Sequence, residues 1–335
     1  MNFFRAAVLF LLFSIPARSE TDDVTNRIHA VEQSMAHLDA NLTRQMNELL
    51  WVQRLSDIAS VDHVRFTGPP PAGTNGLPVA AGSNDVVISA LCFLPRKRSQ
   101  RIPLIVFVHG EIHGNAVSDE DSQVVRELVE QGYGVIAPDY RGSSGYGADF
   151  WNLIDYGGLE VEDVEAAREF ALQHYPVLDS RRVGIIGWSH GGLIALLAVF
   201  AHPQNYQACY AGMPVSDLEE RIRIRGKDYE KLLSIPSEAG KSASEEYRRR
   251  APSQNAKKLK TPLLIHANTN DEDVTWREIQ KLIAALRAAN KPFQYTVYTN
   301  APGGHMFNRL DTNLAHDSRK EIWRFLAKHL RPSIW

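Results

Sequence analysis

The sequence has 335 residues, with 37 basic and 39 acidic side chains and a formal net charge of −2. This balance provides no strongly basic surface, so we expect no nucleic-acid partner. At this length and with 44% hydrophobic residues, the chain can form one large globular domain or two smaller ones.

Residues 1–19 have the pattern of a signal peptide. A single arginine precedes the apolar run "AAVLFLLFSIPA", and the small residues Ala17 and Ser19 stand where a signal peptidase would cleave. The run is too short for an ordinary membrane-spanning helix. We therefore predict an exported protein, periplasmic or secreted, that is not inserted in the membrane after cleavage. An uncleaved anchor is the alternative.

Residues 20–66 are predicted to form an N-terminal amphipathic helix. Apolar residues recur there at alternating spacings of four and three, namely at Val24, Ile28, Val31, Met35, Leu38 and Leu42. We favour the interpretation that this seam lies against the helix's own domain, and the alternatives are a homodimer or the docking of another partner. The stretch "TGPPPAGTNGLP" that follows is rich in glycine and proline and predicts a linker over 67–83.

Residues 84–335 alternate between strand-like and helix-like segments. Apolar runs such as "IPLIVFVHG", "RVGIIG" and "TPLLIHAN" are separated by helical patterns. This order predicts an α/β fold with a mostly parallel, doubly wound sheet and helices on both faces. A charged helical insertion is expected over about 217–258. The two cysteines, Cys92 and Cys209, fall in different strands, and we predict two buried free thiols.

The stretch "GWSHG" fits the pattern G-x-S-x-G between a predicted strand and a predicted helix. On so sharp a turn, side chains two residues before and after the serine would collide, which explains Gly187 and Gly191. The turn projects the hydroxyl of Ser189 above the sheet, and the following helix leaves the backbone amide of His190 free to bind an oxyanion. We predict that Ser189 is a nucleophile.

A serine nucleophile needs a base and an orienting carboxylate, which follow in the chain order Ser, Asp or Glu, His. The strand "PLLIHAN" leads into "TNDEDV", where Asp271, Glu272 or Asp273 can serve as the acid. The last core strand leads into "NAPGGHMFN", which offers His305. Both segments follow strand ends, so we predict a triad of Ser189, His305 and one of these three carboxylates.

Five segments, "VHGEIHGN", "PDYRGSSGYG", "GWSHGG", "HANTNDEDV" and "GGHMFNRLD", together resemble the catalytic domain of the prolyl oligopeptidase family of α/β-hydrolases. The resemblance covers about 85–331 and points to the branch with acylaminoacyl peptidases and dipeptidyl aminopeptidases. It implies that Ser189 is the nucleophile, that His305 is the general base and, through the pattern D-x-x-V, that Asp271 is the acid. It implies no cofactor.

One loop departs from that family's pattern. Many relatives have H-G-G-P after the third strand, whereas this chain has "HGEIHG". We predict that the amide of Glu111 helps to bind the oxyanion and that its side chain points away. His109 and His113 have the spacing H-x-x-x-H, but the glycines argue against the helix that a metal pair would need, so we predict no metal. His113, Tyr140 and Trp188 are predicted to bind substrate.

These features predict a serine hydrolase that cleaves peptide or aminoacyl amide bonds of small peptides through an acyl-enzyme, without a cofactor. Relatives of this kind usually carry an N-terminal β-propeller, whereas the residues before the predicted core look helical here. Short peptides and carboxylic esters therefore both stay open as substrates, and a carboxylesterase is the first alternative. The second is a non-catalytic interaction protein that uses its N-terminal helix.

Overall fold

The computed structural model describes residues 20–71, 85–98, 101–233 and 243–332. Its strands are β1 (Ala59–Gly68), β2 (Val86–Pro95), β3 (Ile102–Val108), β4 (Gly134–Asp139), β5 (Leu178–Trp188), β6 (Ala208–Gly212), β7 (Leu263–Asn268) and β8 (Gln294–Tyr298). Its α-helices are α1 (Glu20–Leu55), α2 (Asp119–Glu130), α3 (Ala148–Trp151), α4 (Leu159–His174), α5 (His190–Ala201), α6 (Leu218–Arg225), α7 (Lys227–Leu232), α8 (Ala243–Arg249), α9 (Pro252–Asn255), α10 (Trp276–Ala288) and α11 (Asn313–Leu330). Short 3₁₀ helices cover Ala256–Lys258 and Gly304–Met306.

The eight strands of the described ranges form one sheet in the order β1-β2-β4-β3-β5-β6-β7-β8. The pairs β1–β2 and β2–β4 are antiparallel, and all pairs from β4 to β8 are parallel. Because β3 and β5 to β7 are buried along the parallel part, they read as continuous apolar runs. The predicted α/β fold with a mostly parallel sheet is confirmed.

Helices cover both faces of this sheet. Helices α4 and α5 contact each other and pack over the central strands. On the other face, α2 and α11 are joined by Arg319, whose Nη2 donates to Oε1 of Glu127 at 2.9 Å. The carboxyl ends of β5, β7 and β8 therefore lie at one edge of a rigid two-sided layer, and the loops that follow them carry the residues predicted for catalysis.

The predicted N-terminal boundaries need correction. Helix α1 ends at Leu55 instead of 66, and residues Ala59–Gly68 form the edge strand β1, which pairs along its whole length with β2. The side chains of β1 alternate in exposure, as expected of a strand with one face on the core. This period of two residues was not recognised because the prediction considered only the helical spacing of the preceding residues. The sheet thus begins well before residue 84. The predicted linker loses 67–68 to β1, and most of the rest lies outside the described residues.

Helix α1 contacts its own domain through a different face from the one we favoured. Trp51 and Leu55 are buried, whereas all six apolar residues of the predicted seam between 24 and 42 are more than half exposed. The prediction that this seam lies against the domain is therefore wrong. The predicted signal peptide, residues 1–19, lies outside the described residues. Within the described ranges, no helix is both long and apolar enough to cross a membrane.

Other buried groups support the loops above the sheet. Both cysteines are buried free thiols, as predicted. Arg141 forms a fully buried ion pair with Asp163 at 2.7 Å. Asp139 accepts hydrogen bonds from the amide of Ala116 at 2.6 Å and from the hydroxyl of Tyr146. Both carboxylates therefore tie loops at the end of β4 to the core.

Asp139 gives a testable pH dependence of stability. Burial raises the pKa of its carboxyl from an ordinary 3.8 to about 6. The unfolded chain therefore loses this proton at lower pH than the folded protein, so the group lowers the free energy of unfolding as pH rises through this window. For Asp139→Asn, the free energy of unfolding relative to wild type should increase by about 2–3 kcal/mol between about pH 4 and pH 7.

Urea unfolding of both proteins across that pH range measures this difference. Asp149→Asn is measured in parallel as the matched control, because it makes the same chemical change at an exposed residue. A constant difference for Asp139→Asn would contradict the assignment of a buried, proton-binding carboxyl.

Candidate active site

Ser189 stands on a strained turn between β5 and α5. Its backbone has φ 56° and ψ −120°, in the left-handed region that non-glycine residues rarely adopt. A Cβ at Gly187 would lie 2.3 Å from the carbonyl oxygen of Gly191, and a Cβ at Gly191 would lie 2.3 Å from that of Val108. Both glycines are therefore required by the backbone, as the sequence pattern indicated.

His305 and Asp271 come together from the loops after β8 and β7. Nδ1 of His305 lies 2.7 Å from Oδ2 of Asp271. The other carboxylate oxygen of Asp271 accepts the backbone amides of Asp273 and Val274, each at 2.8 Å. Asp271 is thus held by its own loop while it orients one nitrogen of the imidazole, which leaves Nε2 of His305 for proton transfer.

Ser189 and His305 open onto the same surface pocket, which has a volume of about 580 Å³. Its other lining residues are Asn47, Gly110, Glu111, His113, Gly114, Asn115, Ser118, Asp119, Glu120, Asp121, Ser144, Asp273, Met306 and Arg309. The loop after β3, the turn after β5 and the loops after β7 and β8 therefore meet at one solvent-accessible site.

Asp273, the alternative acid, has other partners. Its Oδ1 accepts a hydrogen bond from Arg221 at 3.0 Å and another from Arg225, both on α6. Its Oδ2 is 3.6 Å from Nε2 of His305. Partial burial opposes its ionisation, but the charge of Arg221, followed by those of His305 and Arg225, keeps the pKa of Asp273 below its ordinary value. Asp273 thus links the helical insertion to the edge of the site.

The two segments predicted to bind an oxyanion both lie beside Ser189. His190 is the first residue of α5, so its amide has no acceptor within the helix. Across the turn, a Cβ at Gly110 would lie 3.8 Å from Cβ of Ser189, so the loop that carries Glu111 lies beside the serine. The hydroxyl of Tyr140 donates to the carbonyl oxygen of Glu111 at 3.0 Å and holds this loop.

Glu111 adopts a backbone conformation that favours glycine, with φ 62°. This explains why a glycine was expected here, and the exposed Glu111 side chain lies in the rim of the pocket. We expect Glu111→Gly to be more stable than Glu111→Ala by about 1 kcal/mol, because only glycine adopts this φ without strain. Thermal unfolding of the two variants measures the difference. Equal stabilities would contradict a strained backbone at this residue.

His190 contributes its ring to the layer below the turn. Nε2 lies 3.1 Å from Oε1 of the fully buried Glu160, which also accepts the amide of Gly157 at 2.7 Å. Burial opposes ionisation of Glu160, but hydrogen bonding and the charge of His190 lower the pKa of this carboxyl. The ring of His190 therefore fixes the start of α5 from beneath and does not line the pocket.

Two of the residues predicted to bind substrate, Trp188 and Tyr140, are buried and do not line the pocket. Trp188 is 1% exposed, and its Nε1 donates to Oδ1 of Asn308 at 3.0 Å, because the last residue of β5 points into the core below the turn. Tyr140 is fully buried under the loop after β3 and acts as its brace. His113 does line the pocket, with its ring stacked on Trp151 at 3.6 Å.

His109 and His113 do not face each other as a ligand pair would. Nε2 of His109 lies 3.0 Å from Oγ of the buried Ser143, and its ring stacks on Tyr140. Nδ1 of His113 lies 2.7 Å from the carbonyl oxygen of Gly142. Both rings therefore hold the loop after β3 against the loop after β4.

Two residues at the pocket were not predicted from the sequence. Arg309 lies over the Trp188 ring at 6.0 Å and contacts Asp121 at 3.4 Å. Its sequence signal is that it follows His305 in the same loop. Asn47 reaches the pocket from α1, which depends on a contact between segments distant in the chain. Arg221 and Arg225 of the predicted charged insertion reach the edge of the site through Asp273.

A serine on a strained turn, a histidine paired with an aspartate and a sheet of this topology define an α/β-hydrolase with a Ser-Asp-His arrangement. The profile described as the prolyl oligopeptidase family matches residues 120–333. The chain belongs to this family of serine-type peptidases, as the sequence motifs indicated.

Curated relatives agree with this assignment. The chain is 27% identical over 281 residues to the acylamino-acid-releasing enzyme of Rattus norvegicus, which covers 80% of this chain and 36% of that protein. It is 26% identical over 283 residues to dipeptidyl aminopeptidase BIII of Pseudoxanthomonas mexicana, which covers 79% of this chain and 40% of that protein. The chain thus spans little more than a third of the length of these relatives.

Solved structures show the same fold. An acylaminoacyl peptidase of Pyrococcus horikoshii superposes with a TM-score of 0.67 at 20% identity, over 85% of this chain and 44% of that one. A puromycin-hydrolyzing peptidase of Mycobacterium tuberculosis superposes with a TM-score of 0.64 at 23% identity, over 81% of this chain and 39% of that one.

Proposed function

We propose that the protein is a serine peptidase that cleaves amide bonds of short peptides or aminoacyl amides. The observation that supports this most directly is the common pocket of Ser189 and the His305–Asp271 pair. The names of its relatives, which describe enzymes that release acylated amino acids or dipeptides, favour an amide over an ester.

In the proposed mechanism, Nε2 of His305 takes the proton of Ser189 as Oγ attacks the carbonyl carbon of the substrate. Asp271 orients the ring and stabilises the imidazolium that forms. The amides of His190 and Glu111 bind the oxyanion of the tetrahedral intermediate. His305 then gives its proton to the leaving amine, and water releases the acyl group from Ser189 by the same steps in reverse.

Matched substrates test the preference for amides. We would compare the p-nitroanilide and the p-nitrophenyl ester of the same aminoacyl group, each with a free and with an acetylated amino group, and subtract the Ser189→Ala background. Each rate is divided by that of the uncatalysed reaction. A larger enhancement for the anilide is expected, since an amine leaves only when His305 protonates it. Ester turnover without anilide turnover would establish a carboxylesterase instead.

We also propose that the protein is exported. The support is the charged start, short apolar run and small residues of 1–19. N-terminal sequencing of the protein from a secreting host should give Glu20 as the first residue. An intact Met1 in the membrane fraction would favour the anchor, and an intact Met1 in the cytosol would contradict export.

A further inference from the structure

Helix α1 carries a long apolar seam that nothing in the described structure covers. Its apolar residues are between 38% and 72% exposed, and the set comprises Val24, Ile28, Val31, Met35, Leu38, Leu42, Leu49 and Val52. We call these residues the exposed seam. Isolated apolar side chains on a surface are ordinary, but eight in one row along about 43 Å of helix form a patch that is typical of an interaction site.

The contacts of α1 with its own domain do not use this seam. They come from residues at positions 37, 41, 44, 48, 51 and 55, a second row that we call the docked face, and from Arg54 beside it, which pairs with Asp119. There, Nδ2 of Asn41 donates to the carbonyl oxygen of Gly145 at 2.8 Å, and Nε1 of Trp51 donates to that of Ser118 at 3.1 Å. The two rows are roughly 110° apart around the helix. Docking on the domain therefore leaves the exposed seam pointing away from it.

The exposed seam has the spacing of a coiled coil. With Ile28 at position a, positions a and d from 24 to 52 are apolar except for Gln45, which gives four heptads without a break in register. A seam that narrow fits another helix with the same repeat. A second copy of α1 has the same apolar residues at the same a and d positions along its length, so two copies of the seam can pack against each other.

The charges beside the seam favour a second copy in parallel orientation. Arg27 is at position g and Glu32 at the following e, and both are exposed. In a parallel pair, g of one helix meets the next e of the other, so Arg27 and Glu32 would form two symmetric ion pairs between copies. The polar Gln45 at d would pair with itself only in this register.

A membrane surface fits the seam less well. Helices that lie on anionic lipid carry lysine and arginine on their polar face. Helix α1 has six acidic residues and three arginines, and one of those arginines, Arg44, is buried against Gly145 on the docked face. The net negative charge of α1 would be repelled by such a surface.

We propose that the protein forms a homodimer through a parallel two-stranded coiled coil of residues 24–52. The catalytic pockets stay accessible in this dimer, because Asn47, which lines the pocket, is at position f on the side of α1 opposite the seam. Formation of the dimer therefore covers no residue of the pocket and adds no catalytic group to it.

Sedimentation equilibrium of the full chain from Glu20 onwards tests the proposal. Wild type should have twice the mass of one chain. Val31→Glu combined with Leu38→Glu should weaken the dimer by at least about 100-fold, because each copy would bury two carboxylates in the seam. The matched control, Gln33→Glu with Thr43→Glu, adds the same charge at exposed positions f and b and should remain dimeric. Circular dichroism shows that each variant is folded.

Orientation is tested with one added cysteine. Val31→Cys should form a disulfide between copies under mild oxidation, since equal d positions meet only in a parallel pair, whereas Gln33→Cys should not. The native Cys92 and Cys209 are buried and do not compete. A monomeric wild type, a dimer insensitive to the seam substitutions, or an uncrosslinked Val31→Cys dimer would overturn the proposal. A monomer that cosediments with phosphatidylglycerol vesicles would assign the seam to lipid instead.

Discussion

Replacing Ser189 with alanine is expected to lower kcat/KM for an aminoacyl p-nitroanilide by at least about 10⁴-fold, because no other group can form the acyl-enzyme. Binding should change little, since the hydroxyl reacts and does not anchor the substrate. Steady-state kinetics with purified variants measure both quantities. Ser144→Ala is the matched control, because Ser144 lines the same pocket but accepts a hydrogen bond from Asn115 at 3.1 Å. It should stay within a few-fold of wild type.

The same position also carries a prediction about stability. At φ 56° a Cβ is strained, so Ser189→Gly should be more stable than Ser189→Ala by about 1 kcal/mol. Chemical unfolding of the two variants measures this difference in stability.

The kinetic prediction for Ser189→Ala has its own contradicting result. More than about 1% of wild-type turnover in this variant would show that the nucleophile lies elsewhere.

The second large effect is expected at Asp271. In Asp271→Asn, the amide cannot hold the imidazole of His305 in the same tautomer, so kcat should fall by about 10³–10⁴-fold while the fold is retained. Asp273→Asn should cost less than about 10-fold, since its oxygen is 3.6 Å from His305 and its charge is already balanced by Arg221 and Arg225.

Comparing these two variants decides which aspartate is the acid. Steady-state kinetics of both variants under the same conditions should show the larger loss of kcat in Asp271→Asn. The reverse order of losses would make Asp273 the acid and would leave Asp271 as a brace for its own loop.

The positions of the site residues were predictable where the constraint is local. Around Ser189 the requirement for glycine comes from atoms within a few residues, so the motif itself carries the geometry. His305 and Asp271 were found because parallel strands end at one edge of the sheet, whatever their distance in sequence. These features follow from backbone sterics and chain topology alone.

Features that depend on distant partners were not predictable in the same way. Trp188 adjoins the nucleophile in sequence but points into the core, where Asn308 accepts its N–H. Arg141 pairs with Asp163 on α4 and not with the nearby Asp139, and its guanidinium donates to both carboxylate oxygens of Asp163. A single sequence shows that an arginine and several carboxylates are present, but it does not show which carboxylate the arginine pairs with.

The N-terminal region shows a third kind of failure. Its heptad spacing was read correctly as a helix, but the face that binds the domain is the polar and aromatic row that includes Arg44 and Trp51. Hydrophobicity alone predicts that the exposed seam, and not the docked face, is the buried side of α1. The discrepancy between the seam's spacing and its exposure is what leads to the proposed dimer.

Labelling of the full protein with a fluorophosphonate, followed by mass spectrometry of its peptides, shows whether Ser189 is the nucleophile of the Ser-Asp-His arrangement. We expect one label per chain on Ser189, with labelling slowed strongly in His305→Ala and unchanged in Ser144→Ala. A label on another residue, or amide turnover by a protein that Ser189 labelling does not inactivate, would contradict it.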